Sequence, residues 1–431
     1  MRARDPQESF LMLRAWVLRA VWLAVPTVGP SSVQAAGPTP IDLESAIRRA
    51  LENGPALTIA RARVQEASGR LTSARTWPIN PTLGGSANAR STGAGTGLDF
   101  EIGIAQQIEI GGQIGDRTEA ASADLDSAEH VQRRALKATA TAAGLAFVTA
   151  QAQRDLLAVR TRDRSLTKEL FELARRRMER GAGTQLDLSA AASELARTET
   201  AMRRASASHR AALARLAEVM GADPALPIEV AGPLVTPAVS FPDDIVKTAL
   251  AARADLAAVR AQVARARAES RLARARRWPN VTVRVFAGRE NDVETLVGGG
   301  LSIPIPLFMR NQGGVEVADA VVTRSEAQLG MAELRVRAEV IAAAAAKDAA
   351  VENANTMKTL VSGTLEPNLD LLRRAFEAGK ATWPEVLLLR RTFVEAEAEM
   401  IASEADAARA TLELQLACGT TPIPASTGDT P

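Results

Sequence analysis

Tyrosine is absent from the 431 residues, histidine occurs twice and cysteine once. The lone Cys418 excludes an intrachain disulfide and a cysteine metal cluster, and it leaves no thiol near the N-terminus to carry a lipid. His130 and His209 fall on predicted helices with no second His or Cys nearby, so they read as solvated or interhelical side chains rather than ligands. No nucleophile–base constellation and no phosphate-cradling glycine loop in a strand–helix setting is present; the glycines at 298–300 sit within a strand. An enzyme is therefore not expected, nor a cofactor. A charge of one sign is lacking too: 52 basic residues face 50 acidic ones, for a formal net charge of +2. The arginines recur along helices beside Glu and Asp, the pattern of a solvated face, which argues against nucleic acid as a partner. Past the N-terminus no apolar run approaches the roughly 20 residues a membrane-crossing helix needs.

The first 36 residues read as an export signal. Arg2, Arg4 and Arg14 precede an apolar stretch, interrupted by Arg19, and small residues follow with cleavage expected after Ala35 or Ala36.

What is present is a duplication. Trp77-Pro78 recurs as Trp278-Pro279, each closing an Ala/Arg-rich helix, and Met220-Gly221 recurs as Cys418-Gly419. AQQIEIGGQIGDRTEAASAD at 105–124 and SIPIPLFMRNQGGVEVADA at 302–320 both pass from strand through Gly-Gly to an Ala-rich helix. RMERGAGTQLDL (177–188) answers AFEAGKATWPEV (375–386). The predicted organisation is a signal segment 1–36, a first repeat 37–221, a linker 222–242, a second repeat 243–419 and a flexible tail 420–431. Each repeat runs helix, strand, strand, long helix, turn, helix.

The long helices carry heptads. Ala121, Ala128, Ala135, Ala142, Thr149 and Leu156 form one track, and Val131, Ala138, Leu145, Ala152, Val159, Leu166 and Leu173 a second. The corresponding track of the second repeat is Leu329, Val336, Ala343, Ala350, Met357, Thr364 and Leu371. Helices are expected over 55–77, 113–179 and 184–220, and over 254–277, 313–378 and 382–418. In each repeat the two shorter ones, laid end to end, match the long one, which at 1.5 Å per residue spans about 100 Å.

The strands alternate. Leu98, Phe100, Ile102, Ile104, Ile108 and Ile110 share one face of 98–110, and Val281, Val283 and Val285 one face of 281–287. The segment 82–90 shows the same period more weakly. A half-buried soluble sheet and tilted membrane-spanning strands both fit this pattern.

The duplication, the turns RGAGTQLDL and AGKATWPEVLL and the segment IPIPLFMRNQGG resemble the outer-membrane efflux protein family, the TolC-type ducts, over about residues 40–419. The last segment is most similar to the CzcC-type heavy-metal branch. The resemblance implies a mainly α fold with a small membrane β part. Three copies contribute four strands each to a twelve-stranded barrel above a trimeric α-helical barrel. It implies export through a tripartite system with a periplasmic adaptor and an inner-membrane RND pump, heavy-metal cations as cargo, and a site in the outer membrane reaching into the periplasm. Drug-like or other small organic solutes are the alternative cargo, and a soluble periplasmic coiled-coil scaffold is the rival outside the family. Physics also demands assembly if the strands enter lipid, because an open four-stranded sheet leaves unpaired backbone groups there.

The same resemblance implies that the turns Gly181, Gly183, Thr184 and Leu186, and Gly379, Thr382 and Pro384, contact the adaptor. It also implies that Asp187, Phe376, Lys380 and Glu385 sit at a channel constriction. Where TolC-type ducts carry a gating arginine this chain has Ala381, with Lys380 adjacent. Glu385 also suits helix capping, as a first-turn carboxylate following Pro384. With no tyrosine, an aromatic belt has to come from residues such as Trp77 and Trp278.

Overall fold

The computed structural model describes residues 40–92, 95–234, 236–290, 294–363 and 365–420; the predicted signal segment and most of the tail lie outside them. The first repeat comprises β1 (Pro40–Ile41), α1 (Leu43–Asn53), α2 (Pro55–Arg75), β2 (Thr82–Thr92), β3 (Gly95–Ile108), α3 (Gln113–Glu179) and α4 (Gln185–Val219). After β4 (Glu229–Val230) the second comprises α5 (Ile245–Ala252), α6 (Ala254–Ala275), β5 (Val281–Glu290), β6 (Glu294–Ser302), α7 (Gln312–Val361), α8 (Leu365–Glu377) and α9 (Trp383–Cys418). The short helices α1 and α5 escaped the heptad reading because each is only two or three turns long. Each announces itself by a cap instead: Asp42 accepts the Ser45 N–H at 2.8 Å and Asp244 the Lys247 N–H at 2.9 Å.

The end-to-end stacking expected from helix lengths is realised. Thr118 and Arg117 donate to the Ala74 carbonyl, placing α2 against the start of α3. Arg164 reaches Glu199 at 3.3 Å, placing α4 against its second part. The stacked helices meet at glycines: Gly221 (φ 70°) abuts the Asn53 carbonyl and Gly419 (φ 75°) abuts Ala252. A Cβ at Gly221 would lie 2.4 Å from that carbonyl oxygen, so only glycine closes the joint. In the second repeat α6 pairs with α7 through Arg267–Glu326 and Arg274–Asp319, both at 2.7 Å, and α9 covers the rest of α7 together with α8.

One predicted helix is two. The span 313–378 breaks after Val361, where Ser362 closes α7 and Gly363 takes φ 73°. Glycine in the left-handed conformation just past a helix end is the usual stop. Pro367 then sits in the first turn of α8, where its missing N–H is tolerated. The break resets the register: Leu371, expected inside, is exposed, while Leu369, Leu372 and Phe376 turn inward. Thr364 of that track lies outside the described residues.

Burial along α3 also departs from the heptads. The track from Ala121 to Leu156 is half-buried throughout, and the fully buried lower seam is Val159, Asp163, Thr167, Leu170 and Ala174. Two of those five are polar, so an apolar pattern could not register them. Around Ala140–Ala152 the helix is enclosed on nearly every side, because the chain between the repeats straps across it. Gln151 donates to the carbonyls of Ala231, Gly232 and Pro233, and Arg154 to those of Val230 and Gly232. Ile41 and Val230, paired in the parallel β1–β4 bridge, pack there with Ile47, Phe147, Leu216 and Met220.

Candidate functional site: the strand sheet, its junctions and the helical tips

β2, β3, β5 and β6 form one antiparallel sheet in the order β2-β3-β5-β6, with β2 and β6 as open edges. Its register sorts the side chains into two faces. Leu83 opposes Ile104, which opposes Val285; Ala87 opposes Phe100; Val283 opposes Leu301; and Ala287 opposes Val297. Opposed residues share a face, so one side of all four strands is mainly apolar, interrupted by Gln106 opposite Val283 and Arg289 opposite Phe100, and Leu83, Phe100, Ile102, Ile104, Val285, Val297 and Leu301 are exposed. The other side is mainly polar and internally paired, although Leu296 also lies on it. Arg90 contacts Asp99 at 3.1 Å and Glu290 at 2.8 Å, and Arg284 pairs with Glu101. Phe286, also on this side, sits with its ring over Gly298 of one neighbouring strand and its Cβ against Gly103 of the other, with the Arg284 guanidinium 5.3 Å from its ring centre. A Cβ at Gly298 would strike that ring, and one at Gly103 would meet the Phe286 Cβ and the Val285 carbonyl. A sheet with charges satisfied on one face and apolar side chains bare on the other inverts what a soluble half-buried sheet needs.

The strand-to-helix junctions repeat, but not through Gly-Gly. The residues that correspond are Gly112 with Asn311 and Gln113 with Gln312. Gly112 has φ 81° and Asn311 φ 56°, each capping its helix in the left-handed conformation. The Gln113 side chain accepts the Gly111 N–H, and Gln312 that of Arg310, each at 2.8 Å. Gly313 and Gly314 lie inside α7. Gly314 is required because a Cβ would collide with the Asn311 side chain. Asparagine tolerates positive φ, so the two junctions share geometry while differing in letters.

At the far end the two helical turns also match. In the first, Asp187 accepts from the Thr184 N–H at 3.2 Å and hydroxyl at 2.8 Å, and donates its own N–H back to that hydroxyl at 3.1 Å. In the second, Glu385 accepts from the Thr382 N–H and hydroxyl, both at 2.8 Å. These bonds hold the Glu385 carboxyl below its ordinary range, the backbone N–H first and the hydroxyl second. Gly181 and Gly379 take φ 73° and 69° to turn the chain. Gly183 is half-buried, and Thr184, Leu186, Gly379, Lys380, Thr382, Pro384 and Glu385 are exposed at the turns, with Asp187 half-buried. Phe376 is buried: its ring centre lies 5.3 Å from that of Trp383, Arg177 sits 5.0 Å over its other side, and Leu170, Ala174, Ala191 and Val386 complete the cluster.

Above that cluster lies a buried ionic group that the sequence did not reveal. Arg390, 2 % exposed, donates to Asp163 and Glu194 and, at 3.2 Å, to Thr167. Arg391 closes on Glu194 at 2.5 Å. The group ties α9 to both α3 and α4. Burial pushes the Asp163 carboxyl above its ordinary range despite Arg390. Burial acts on Glu194 in the same sense, but Arg391 and Arg390 prevail and hold it below. The only signal in sequence was one polar residue at each of three apolar-register positions on separate helices, which one strand of text cannot join.

His130 leans on Arg133, its Nδ1 2.9 Å from the guanidinium, and burial lowers the pKa of His209. Among the described residues no group of three His, Cys, Asp or Glu side chains could hold a metal ion, and no helix is long and apolar enough to cross a membrane.

Long paired helices joined to a sheet with a bare apolar face are the architecture shared with solved outer-membrane channels. The sequence profile of the outer membrane efflux protein family matches residues 46–222 and again 245–420, and the chain belongs to that family. It is 28% identical over 332 residues to the nickel-cobalt-cadmium resistance protein NccC of Alcaligenes xylosoxydans xylosoxydans, covering 74% of this chain and 72% of NccC. It is 30% identical over 323 residues to protein CyaE of Bordetella pertussis, covering 69% and 67%. To the cobalt-zinc-cadmium resistance protein CzcC of Cupriavidus metallidurans it is 26% identical over 371 residues, covering 84% and 86%. The fold matches that of CusC (TM-score 0.75, 19% identity, 90% of this chain and 96% of that one). It also matches the outer membrane protein VceC of Vibrio cholerae (TM-score 0.72, 21% identity, 88% and 96%).

Proposed function

We propose that three copies of this chain form the outer-membrane exit duct of a tripartite efflux system that exports heavy-metal cations. The observation that carries this reading is the sheet: four strands with an apolar face open to its surroundings and two unpaired edges, β2 and β6. In lipid such edges have no water to bond. Joining β6 of one copy to β2 of the next closes them, and three copies give the twelve-stranded barrel. The polar, ion-paired face then lines the lumen. Names of the relatives point to metal resistance. Deleting the gene and testing growth on Zn, Co, Cd, Ni, Cu and a drug panel tests the cargo. Sensitivity to one or more of the metals is expected, and sensitivity to drugs alone would overturn the metal reading.

In this reading the two turns face a periplasmic adaptor, which in turn meets an inner-membrane RND pump. Thr184 and Thr382 bond to their own helix starts, so they are poor places for a probe. Photo-crosslinkers at exposed Leu186 and Pro384 are expected to capture the adaptor, and capture only from positions near the strands would contradict the assignment.

Glu385 and Lys380 line the narrowest part of the aperture, with Asp187 beside them and Phe376 bracing the turn from within the protomer. Three Glu385 carboxylates about one axis concentrate negative potential there. Glu385→Gln keeps an oxygen to accept the Thr382 N–H but removes the charge, so it separates capping from selectivity. The purified protein in planar bilayers is expected to lose cation preference and divalent block. Unchanged conductance would leave Glu385 a helix cap alone.

A further inference from the structure

Below the apolar face of β6 the chain does not turn back into polar sequence. Leu301 is on that face, and Ile303, Ile305 and Leu307 continue the alternate positions, each more than half exposed. Phe308 and Met309 follow at 87% and 88% exposure. A contiguous run of this kind marks a surface meant to be covered. Pro304 and Pro306 offer no N–H to a ladder, so the segment is not simply more edge strand.

Its height on the molecule is fixed. Asn311 donates to the Ala273 carbonyl at 2.7 Å, pinning the end of the segment to the last turn of α6, from which Arg276, Arg277 and Trp278 emerge. Trp278 is exposed, and Trp77 is exposed at the matching exit from α2. Arg276 and Arg310 are exposed and have no ion pair among the described residues; Arg310 Nε reaches only the Pro306 carbonyl at 3.3 Å. Exposed tryptophans with free guanidinium groups at the edge of a lipid-facing surface are the chemistry of a membrane interface. Arginine there meets phosphate oxygens.

We propose that Ile303–Arg310, with Trp77, Trp278 and Arg276, forms a collar seated in the periplasmic leaflet. The apolar side chains lie among phospholipid acyl chains, and Arg276 and Arg310 bond headgroup phosphates. In a chain without tyrosine this collar supplies the belt. Continuity with the apolar sheet face argues for lipid, rather than a second copy, as its occupant, and the inference rests on that face being in the bilayer.

The mature chain, lacking the predicted signal segment and its Trp16 and Trp22, is reconstituted into phosphatidylcholine–phosphatidylglycerol vesicles with bromine at defined acyl positions. Phe308→Trp is made in a Trp77→Phe/Trp278→Phe background, where buried Trp383 at the distant tip serves as an unquenched reference. Phe308→Trp is expected to lose most of its emission to bromines near the headgroup and less to deep ones, while a parallel Phe100→Trp is quenched by deep bromines. Quenching of Phe100→Trp but not Phe308→Trp would overturn the collar and leave the barrel standing; quenching of neither would overturn both. Adding Arg276→Gln and Arg310→Gln is expected to weaken shallow quenching, and no change would remove the phosphate contacts. If Phe308→Trp fails to assemble, Met309→Cys in a Cys418→Ala background carries a polarity-sensitive dye. A blue shift on reconstitution supports the collar, and an unshifted spectrum overturns it.

Discussion

Replacing Arg390 by methionine is expected to destabilise the helical region by about 3–5 kcal/mol, because removing one partner of a buried ion pair strands the other charge. Two carboxylates are stranded here, Asp163 and Glu194, both buried between α3, α4 and α9. Arg391 still serves Glu194, so the loss falls mainly on Asp163, whose carboxyl burial already pushes up. Chemical denaturation followed by helical circular dichroism, together with protease cleavage below residue 390, reads the effect. The triple variant Arg390→Met/Asp163→Leu/Glu194→Leu is expected to regain most of the stability, since apolar side chains of similar volume replace such a group at little cost. A single variant as stable as the parent would show that apolar contacts such as Val394 with Val159 hold α9 unaided.

Ile102→Arg is expected to abolish most recovery of the protein in the outer-membrane fraction, while Ser86→Arg is expected to be tolerated. Ile102 lies midway along β3 on the bare apolar face, and Ser86 lies on the opposite face, opposed to Glu101. An arginine facing lipid at mid-depth costs about 2–4 kcal/mol in a barrel, and the proposed trimer would multiply the penalty. On the polar face the new guanidinium meets a carboxylate that Arg284 already engages. The readout is the amount of protein in sedimented membranes beside the parent. Equal loss from both variants would mean that the two faces do not differ in environment.

Much of this architecture was legible in the sequence because periodicity and duplication are local properties. Alternation in Leu98–Ile104 and Val281–Val285 is a matter of neighbours along one strand, and α3 over Gln113–Glu179 follows from its own spacing. Repeated turns named the helical tips, and a Thr followed three residues later by Asp or Glu is a cap readable in one line of text. What escaped depends on contacts between distant residues. Gly-Gly drew attention at the junctions, but the shared device is a left-handed cap with a glutamine behind it, and Asn311 does in one repeat what Gly112 does in the other. Gly363, one glycine in a helix-like stretch, ends α7 only because its backbone takes positive φ, and that one turn decides whether Leu371 or Leu372 is inside.

The tertiary structure alone decided where polar residues are buried. Asp163, Thr167, Glu194 and Arg390 each look like a flaw in an apolar pattern, and only the packing of three helices makes them one hydrogen-bonded ionic group. It also decided that the two faces of the sheet differ consistently across all four strands, since that depends on register. Sequence by itself determined the long helices and the alternating strands and that they come in duplicate, but not α1, α5 or the break at Gly363. Which side chains share a surface follows from how those pieces are set against each other, because burial, pairing and exposure belong to contacts between elements.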